Sequence, residues 1–406
     1  MSRLQPQIFS QLVDVTDYVA NGSFSSLREN VQTSSEPDFA ILVRLVDHNN
    51  GWSGPFSYVD EASYHFLKKT KLEPGDVVIS NVGANAGTVF RVPELSQPLT
   101  LGPNSVLCRP RDKEKLNRAF LYYFLASSIG QALLSGIISG SAQPKFNKTA
   151  LRQLPLSVPS IDEQRAIAEV LGALDDKIAA NNRAFRIVEY LGVAKFTQLG
   201  LDEESQNAPV PFADFFEVNP RRTVTSDAPI TVNMQALPTT GPLINSWSRG
   251  KRKGGARFTN GDTLLARITP CLENRKTAYV DFLNADEVGI GSTEFIVLRS
   301  KEGLPLGLSY FMAISSRFRD FAIQNMVGTS GRQRVSAQDL ERYSLSPIDR
   351  SHLQEFGEWA DINLAYLGSL RDENNALSAT RDALLPQLMS GKLRVRDAEA
   401  VVEDVL

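Results

Sequence analysis

The chain has 406 residues, 42% hydrophobic and 22% charged, which is long enough for two domains and too apolar for a disordered protein. Its net charge of −3 means that any contact with nucleic acid must depend on local clusters of positive charge. Two distant cysteines and three scattered histidines predict neither a disulfide framework nor a metal site, and the lack of a signal pattern or a long apolar run predicts a cytoplasmic protein without membrane contact.

The sequence contains one pattern twice. Gly75-Asp76 recurs as Gly261-Asp262, 186 residues later, and the distance between matching residues grows to 189 for Leu151 and Leu340. An offset that grows by one residue at a time is expected for two copies of one domain with small loop insertions. The sequence therefore predicts two similar domains.

Each copy predicts the same succession of elements: a strand after the Gly-Asp turn, a second strand, a helix, a loop rich in glycine and serine, and a short strand beside proline. In the first copy the strands and helix are expected at 77–80, 105–109, 116–135 and 154–158. In the second copy they are expected at 263–266, 294–299, 306–324 and 343–346. Strands and helices do not alternate strictly, so the fold class is predicted to be α+β.

A long helical segment follows each copy. Ser160 and Glu163 are spaced as a capping box at the start of the first segment, and apolar residues then recur at heptad spacing with Asn181 on the same stripe. The predicted seam residues are Ile167, Leu171, Leu174, Ile178, Phe185 and Val188 in the first helix and Phe356, Trp359, Tyr366, Leu370 and Leu377 in the second. The alternative is that these stripes pack only in a domain core.

Each long helix must bury its stripe, so we expect the two to form an antiparallel coiled coil. Such a rod would hold the two predicted domains about one turn of a DNA duplex apart. It would also give the chain a pseudo-two-fold axis. The predicted division is 1–158 for the first domain, 159–200 for the first helix, 201–347 for the second domain, 348–396 for the second helix and 397–406 for an acidic tail.

No catalytic motif is found in the sequence. The phosphate-binding, dinucleotide-binding, hydrolase and adenine methyltransferase signatures are absent, and Asn219-Pro220-Arg221-Arg222 departs from the last of these at two positions. Asp175-Asp176-Lys177 resembles the end of a nuclease motif, but on a predicted helix it is typical of a solvated face. We therefore expect no catalysis by this chain.

Basic and amide side chains instead predict DNA binding. A basic block in the second copy is a candidate phosphate clamp, although such a block can also serve only solubility; it comprises Arg249, Lys251, Arg252 and Lys253, with Arg257 beyond it.

Two pairs of loops carry side chains of the kind that reads base edges. The loop after the Gly-Asp strand supplies Asn81 and Asn85 in the first copy and Arg267, Thr269, Arg275 and Lys276 in the second. The loop rich in glycine and serine supplies Gln143 and Lys145 in the first copy and Ser330, Arg332, Gln333 and Arg334 in the second. Asn81 and Asn85 are equally compatible with a role in turns.

Taken together, these segments resemble the specificity subunit of type I DNA restriction–modification systems. GDTLLARITPCLENRKTAYV and GTSGRQRVSAQDL look like parts of a target recognition domain, LPLSVPSIDEQRAIAEVLGALDDKI looks like the central conserved helix, and LLPQLMSGKLRV looks like the end of the distal one. The first copy lacks the Thr-Pro-Cys-Leu element of the second.

The resemblance implies a non-catalytic subunit that recognises a bipartite target on double-stranded DNA. It also implies two docked modification subunits that methylate adenine, and restriction subunits that can join them. S-adenosylmethionine, ATP and Mg²⁺ would then bind to those partners, and this chain would hold no cofactor. Two alternatives are a coiled-coil scaffold that joins proteins without reading DNA and a nuclease that acts alone.

Overall fold

The computed structural model describes residues 7–203, 208–251, 254–329 and 331–406. The chain forms two compact units, which are described separately: the first unit comprises Met1–Lys177 and Leu377–Leu406, and the second comprises Ile178–Ala376. Each unit thus contains part of the first long helix, Ile161–Leu199, and part of the second long helix, Arg350–Met389.

The main sheet of each unit has four antiparallel strands in an equivalent order. In the first unit the strands, from one edge to the other, are Val13–Asp17, Ser105–Pro110, Val77–Ser80 and Val89–Arg91. In the second unit they are Phe216–Val218, Phe295–Ser300, Thr263–Ala266 and Thr277–Tyr279. The predicted duplication and the α+β class are both confirmed by this repeated topology.

The inner strands of the main sheet are apolar over most of their length, apart from Arg109 and Arg299 near their ends, because both faces of the sheet are covered. In the second unit Leu265 and Ile296 belong to the core that includes Tyr310 and the long helices, whereas Leu264 and Val297 belong to a second core on the opposite face. Successive side chains of a strand point to opposite faces, so an unbroken apolar run is required when both faces are buried.

Each unit also has a side sheet and a two-stranded ribbon. The side sheet of the first unit comprises Thr33–Ser34, Tyr58–Val59, Ala40–Val43, Leu99–Leu101 and Lys71–Leu72, and that of the second comprises Ser248–Arg249, Ile230–Thr231, Gly289–Ile290 and Arg257–Phe258. The ribbons pair Gln7–Ile8 with Pro155–Leu156 and Val210–Pro211 with Ser344–Leu345. Each side sheet has one parallel pair of strands, so the two units repeat each other in this detail as well.

The single helix predicted in each copy is two helices in the structure. Residues 116–135 were expected as one helix, but Arg118–Ala126 and Ser128–Ile137 meet at an angle of 71°. Ser127 stops the first helix and caps the second by accepting from the Gly130 amide. A side chain at Gly130 would lie 2.2 Å from the Phe124 carbonyl oxygen, so glycine permits the sharp bend.

The second copy has the same break. Residues 306–324 form Leu308–Ile314 and Ser316–Gln324, separated by Ser315. The remaining short helices are Phe9–Leu12, Phe24–Asn30, Leu45–Asn49, Glu61–Phe66, Lys148–Arg152 and Ala337–Glu341. Within the described residues no single helix is long and apolar enough to span a membrane, and the bent pair at 118–137 reaches that limit only as two helices together.

The two long helices run antiparallel within each unit. In the first unit Asp175 meets Arg381 at 2.9 Å, and in the second Asn181 donates to Asn374 at 2.9 Å. The Ser160 hydroxyl accepts from the Glu163 amide, as the capping box predicts. The second long helix continues through Pro386, and a further helix, Val395–Glu403, occupies much of the segment that was expected to be an acidic tail.

Candidate nucleic-acid interface

The repeated Gly-Asp turn positions the start of the inner strand. Gly75 and Gly261 have φ angles of 85° and 87°, a backbone region that favours glycine. The fully buried carboxylates of Asp76 and Asp262 accept hydrogen bonds from the backbone amides three residues before them, at 2.7 and 2.8 Å. The motif is therefore structural and fixes where the strand leaves the turn.

An arginine from the neighbouring strand neutralises each buried aspartate. Arg109 donates to Asp76 at 2.9 Å, and Arg299 donates to Asp262 at 2.8 Å. The hydrogen bond to Asp76 raises the pKa of Arg109. Arg222 makes a further ion pair with Asp262. Both units thus hold the inner strands of the main sheet together with the same buried charge pair.

In the first unit the two predicted reading loops lie side by side. The strand loop, residues 81–88, follows the inner strand, and the glycine loop, residues 138–146, follows the bent helices. The Gly83 amide donates to the Pro144 carbonyl at 2.9 Å, and the Phe146 amide donates to the Asn81 carbonyl at 3.2 Å. One surface therefore contains all four predicted reading residues of this unit.

The second unit joins its loops in the same way. Its strand loop, residues 267–276, and its glycine loop, residues 327–335, are linked by bonds from Thr269 N to Gln333 O at 3.1 Å and from Val335 N to Arg267 O at 3.0 Å. Each glycine loop is closed by a reciprocal backbone pair, Ser139 with Lys145 and Val327 with Arg334, at 2.9 Å. The sequence predicted four separate loops, and the structure places them together two by two.

Several predicted reading residues are engaged inside the protein. Arg334 forms a bidentate ion pair with Glu294, Arg275 donates to Glu189 of the first long helix at 2.7 Å, and Lys276 donates to the Met234 carbonyl at 2.8 Å. The side chains that remain exposed on the paired loops are Asn85, Gln143, Lys145 and Arg332, whereas Asn81, Arg267, Thr269 and Gln333 are half-buried. Ser330 lies outside the described residues.

The proposed phosphate clamp has fewer free cations, among its described residues, than its composition predicts. Arg249 forms an ion pair with Glu287 at 2.6 Å, and that hydrogen bond lowers the pKa of Glu287. Lys251 is exposed, and Arg257 donates to a backbone carbonyl. Arg252 and Lys253 lie outside the described residues. The described part of the block therefore presents fewer free cations than the sequence predicts.

A basic cleft in the second unit was not predicted from the sequence. This cleft, of about 660 Å³, is lined by Arg221, Arg222, Arg257 and Arg267 and by Gly255 and Thr293, among others. The side chains of Arg222 and Arg257 are hydrogen-bonded within the protein, whereas Nε of Arg267 is buried without a hydrogen-bond partner, and its charge acts on the nearby Glu294. The adjacent pair Arg221-Arg222, with no acidic residue before Asp227, was the available signal; it was tested only against a methyltransferase motif.

Most of the predicted seam residues are buried where expected. Burial is complete or nearly so for Ile167, Leu171, Leu174, Phe356, Leu370 and Leu377, and partial for Ile178, Phe185, Val188 and Trp359. Tyr366 does not lie in the seam: it is 48% exposed, and Leu364 and Leu367 are buried there instead. The stripe drifts because an α-helix with 3.6 residues per turn does not keep a strict seven-residue spacing.

The helices of the second unit also carry apolar side chains that point to solvent. Ile187 and Tyr190 of the first long helix are 58% and 74% exposed, and Ile362 of the second is 69% exposed. Exposed apolar side chains of this size on a helix face are candidates for contact with another protein.

Of the triplet that resembles part of a nuclease motif, Asp175 has a structural role in the first unit, and its side chain is mostly buried where a solvated face was expected. Asp175 accepts a hydrogen bond of 2.6 Å from the Tyr123 hydroxyl and pairs with Arg381. Burial lowers the pKa of Arg381, but its bonds to Asp175 and Asp382 outweigh that effect and raise it. Across the ranges that the structure describes, no three His, Cys, Asp or Glu side chains are placed to hold a metal ion.

Comparison with known proteins identifies the relatives of this chain. Residues 12–186 match the model for the type I restriction modification DNA specificity domain. The type I restriction enzyme EcoAI specificity subunit of Escherichia coli is 33% identical over 139 residues, which are 34% of this chain and 22% of that protein. The EcoEI specificity subunit, also from Escherichia coli, is 35% identical over 104 residues, which are 25% of this chain and 17% of that protein. The match thus spans about a fifth of each curated relative.

A solved structure extends the likeness to nearly the whole chain. The type I restriction-modification system S subunit from M. genitalium covers 96% of this chain, and 97% of that protein is covered in return, with a TM-score of 0.57 at 14% identity. That likeness shows that the two folds are the same. The specificity-domain match covers residues 12–186, so over this part of the chain the likeness extends to sequence as well as fold.

Proposed function

We propose that each unit of this chain reads one half of a bipartite target on double-stranded DNA. The single observation that carries the proposal is the repeated pairing of a strand loop with a glycine loop, which presents amide side chains and a lysine in the first unit and amide and guanidinium side chains in the second. Side chains of these types form bidentate hydrogen bonds with base edges in the major groove. Glycines in the loops allow the backbone to come close to the duplex.

Affinity would come from cations near the loops of the second unit. Arg221 in the basic cleft and Arg332 on the glycine loop have no acidic partner among the described residues, and Arg267 lines the same cleft. Arginines that neutralise phosphates release condensed counterions and so supply affinity that falls with salt. The net charge of −3 does not oppose this, because the field near the cleft is set by local charges.

The proposal extends to partner proteins. The exposed apolar side chains of the helices in the second unit, Ile187, Tyr190 and Ile362, are suited to docking a modification subunit. In this proposal the chain directs methylation of adenine and does no chemistry itself, and S-adenosylmethionine, ATP and Mg²⁺ bind to the modification and restriction subunits.

The experiment is a binding selection with the full chain and a library of randomised duplexes, followed by titration of the selected duplex across a salt series. We expect two short conserved blocks separated by a spacer of constant length, and an affinity that falls steeply with salt. A scaffold that does not read DNA would select no consensus, and its weak binding would not depend on base sequence. Either result would overturn the proposal.

A further inference from the structure

Asn81 and Arg267 occupy the same position in the two units. Each is the residue directly after an inner strand of the main sheet, Val77–Ser80 or Thr263–Ala266. They are 186 residues apart, as are the two Gly-Asp turns. Each unit thus has one residue at the junction between an inner strand of the main sheet and the paired loops.

The backbone at this site is fixed from two sides in both units. The amide of Asn81 donates to Asn104 O at 3.0 Å, and the amide of Arg267 donates to Glu294 O at 3.0 Å. Their carbonyl oxygens accept from the glycine loop, from Phe146 at 3.2 Å in the first unit and from its counterpart Val335 at 3.0 Å in the second. Because the backbone is already fixed at this position, little backbone entropy is lost when the side chain binds a ligand.

Both side chains carry a buried polar atom that has no hydrogen-bond partner. Asn81 Oδ1 and Arg267 Nε are two of only four such side-chain atoms in the described part of the chain. Buried polar groups in folded proteins are almost always satisfied, because leaving one unpaired opposes folding. Two unpaired atoms at one repeated position therefore indicate a site maintained for something other than stability.

The two residue types differ in the base that they recognise best. Arginine forms a bidentate pair with O6 and N7 of guanine, and asparagine forms one with N6 and N7 of adenine. Arg267 and Arg221 line the same basic cleft, so a ligand at that position meets two guanidinium-bearing side chains. Asn81 lies two residues before Gly83, where even a Cβ atom would have no neighbour within 4 Å, so the loop around it is open.

We propose that Asn81 and Arg267 are the matched specificity residues of the two units, and that Asn81 selects adenine in one half-site while Arg267 selects guanine in the other. Both side chains must turn about their side-chain torsions to reach a base edge, because the unpaired atoms are buried in the free protein. This inference rests on the proposed reading of DNA and adds which residue sets which base.

The test is an exchange of the two side chains in the full chain. Asn81→Arg and Arg267→Asn are made separately, and the bound duplexes are selected from the same randomised library and sequenced. We expect Asn81→Arg to change one position of one half-site from adenine to guanine, and Arg267→Asn to change one position of the other half-site from guanine to adenine. Each change in base preference should be at least about tenfold, and the opposite half-site should stay as in the wild type.

More conservative variants serve if an exchanged side chain prevents folding, as judged by loss of the thermal transition. Arg267→Lys keeps the charge but loses the planar fork, so guanine preference at its position should fall about tenfold while affinity for random duplex is retained. Asn81→Asp keeps the shape of the side chain, but its carboxylate only accepts hydrogen bonds. The preferred base at that position should therefore change from adenine to cytosine. The exposed Lys301, at the other end of the main sheet, provides the control Lys301→Ala, which should leave both half-sites unchanged.

Failure of this inference can be told apart from failure of the proposed function. If the wild-type chain selects no consensus, the DNA-reading function itself is wrong. If the wild type selects a bipartite consensus and the folded variants at positions 81 and 267 select the same one, the function stands and these residues are not its specificity residues.

Discussion

Arg334 holds Glu294 by two nitrogens: Nε lies 2.9 Å from Oε2, and Nη2 lies 2.8 Å from Oε1. The third guanidinium nitrogen, Nη1, donates to the Arg332 carbonyl at 3.1 Å. Arg334 therefore ties the glycine loop of the second unit to the residue before a main-sheet strand, and its charge is compensated by Glu294. Its neighbour Arg332 is exposed and has no partner in the described part of this unit.

The first prediction concerns the carboxylate of this pair. Glu294→Gln removes the negative charge beside the paired loops and leaves Arg334 uncompensated. We expect affinity for random duplex to rise, and the slope of log affinity against log salt to steepen by about one unit, because one more cation is available to a phosphate. Titration of labelled duplex at several salt concentrations measures both quantities.

Glu302→Gln is the matched control for this charge change. Glu302 is exposed and follows the same strand at its far end, away from the loops. It should leave the salt slope as in the wild type. If both variants shift binding equally, the effect reflects net charge alone and the role assigned to Glu294 is refuted.

The second prediction is the pH dependence of the same pair. The hydrogen bond from Arg334 lowers the pKa of Glu294 below its ordinary value. A group with a lowered folded-state pKa stabilises the protein above its unfolded pKa, about 4.3 for glutamate, and this contribution is lost as the pH falls through the folded-state value. The stability difference between wild type and Glu294→Gln should thus be constant from neutral pH to about pH 5 and shrink below it. Urea unfolding at a series of pH values measures it, and a difference that grows on acidification would contradict the assignment.

The third prediction concerns Arg332. Arg332→Ala should weaken recognition of one half-site by about 1–3 kcal/mol per lost bidentate contact and leave the other half-site unchanged. Competition between the selected duplex and duplexes with single base changes gives the loss at each position. Equal weakening on all sequences would instead mean that Arg332 contacts phosphate, since phosphate contacts carry no sequence information.

The duplication, the strands and the long helices could be predicted because they depend on local patterns. The unbroken apolar run of residues 263–266 and the heptad stripe of the first long helix are visible in the sequence, and both predictions are confirmed. The bends at Ser127 and Ser315 were missed because aromatic and apolar residues continue across them, and only the close approach at Gly130 shows why the helix must turn.

Whether each candidate side chain is paired or free could not be predicted, because this depends on partners far away in the sequence. Arg275 is paired with Glu189, 86 residues earlier, and Arg249 is paired with Glu287, 38 residues later. A basic residue in a loop has the same local pattern whether it is paired or free. For this reason the sequence located loops that the structure pairs, but it did not separate Arg332 from Arg334 and did not predict the basic cleft around Arg221.

The fourth prediction concerns the buried aspartates of the two Gly-Asp turns. Asp76→Asn removes the buried partner of Arg109, and Asp262→Asn removes the buried partner of Arg299 and Arg222. Loss of one partner of a buried pair lowers the free energy of unfolding by about 3–5 kcal/mol. Both variants should therefore unfold at lower urea concentration than the wild type, and Asp286→Asn, on an exposed turn of the second unit, is the control. Unchanged midpoints for the two buried positions would mean that the turn does not depend on the charge.

The final prediction separates packing of the long helices from their exposed surface. Leu174 is fully buried, whereas Ile187, thirteen residues further along the same helix, is 58% exposed. Leu174→Ala leaves a cavity and should lower the free energy of unfolding by about 2–5 kcal/mol; hydrogen exchange should speed up in the first part of the helix, because opening there becomes easier. Ile187→Ala should change stability by less than about 0.5 kcal/mol and leave hydrogen exchange as in the wild type, although it removes part of the apolar surface proposed for docking. If the helix has one buried and one exposed face, only Leu174→Ala should lower the free energy of unfolding. An equal loss for Ile187→Ala would show that Ile187 is packed as well.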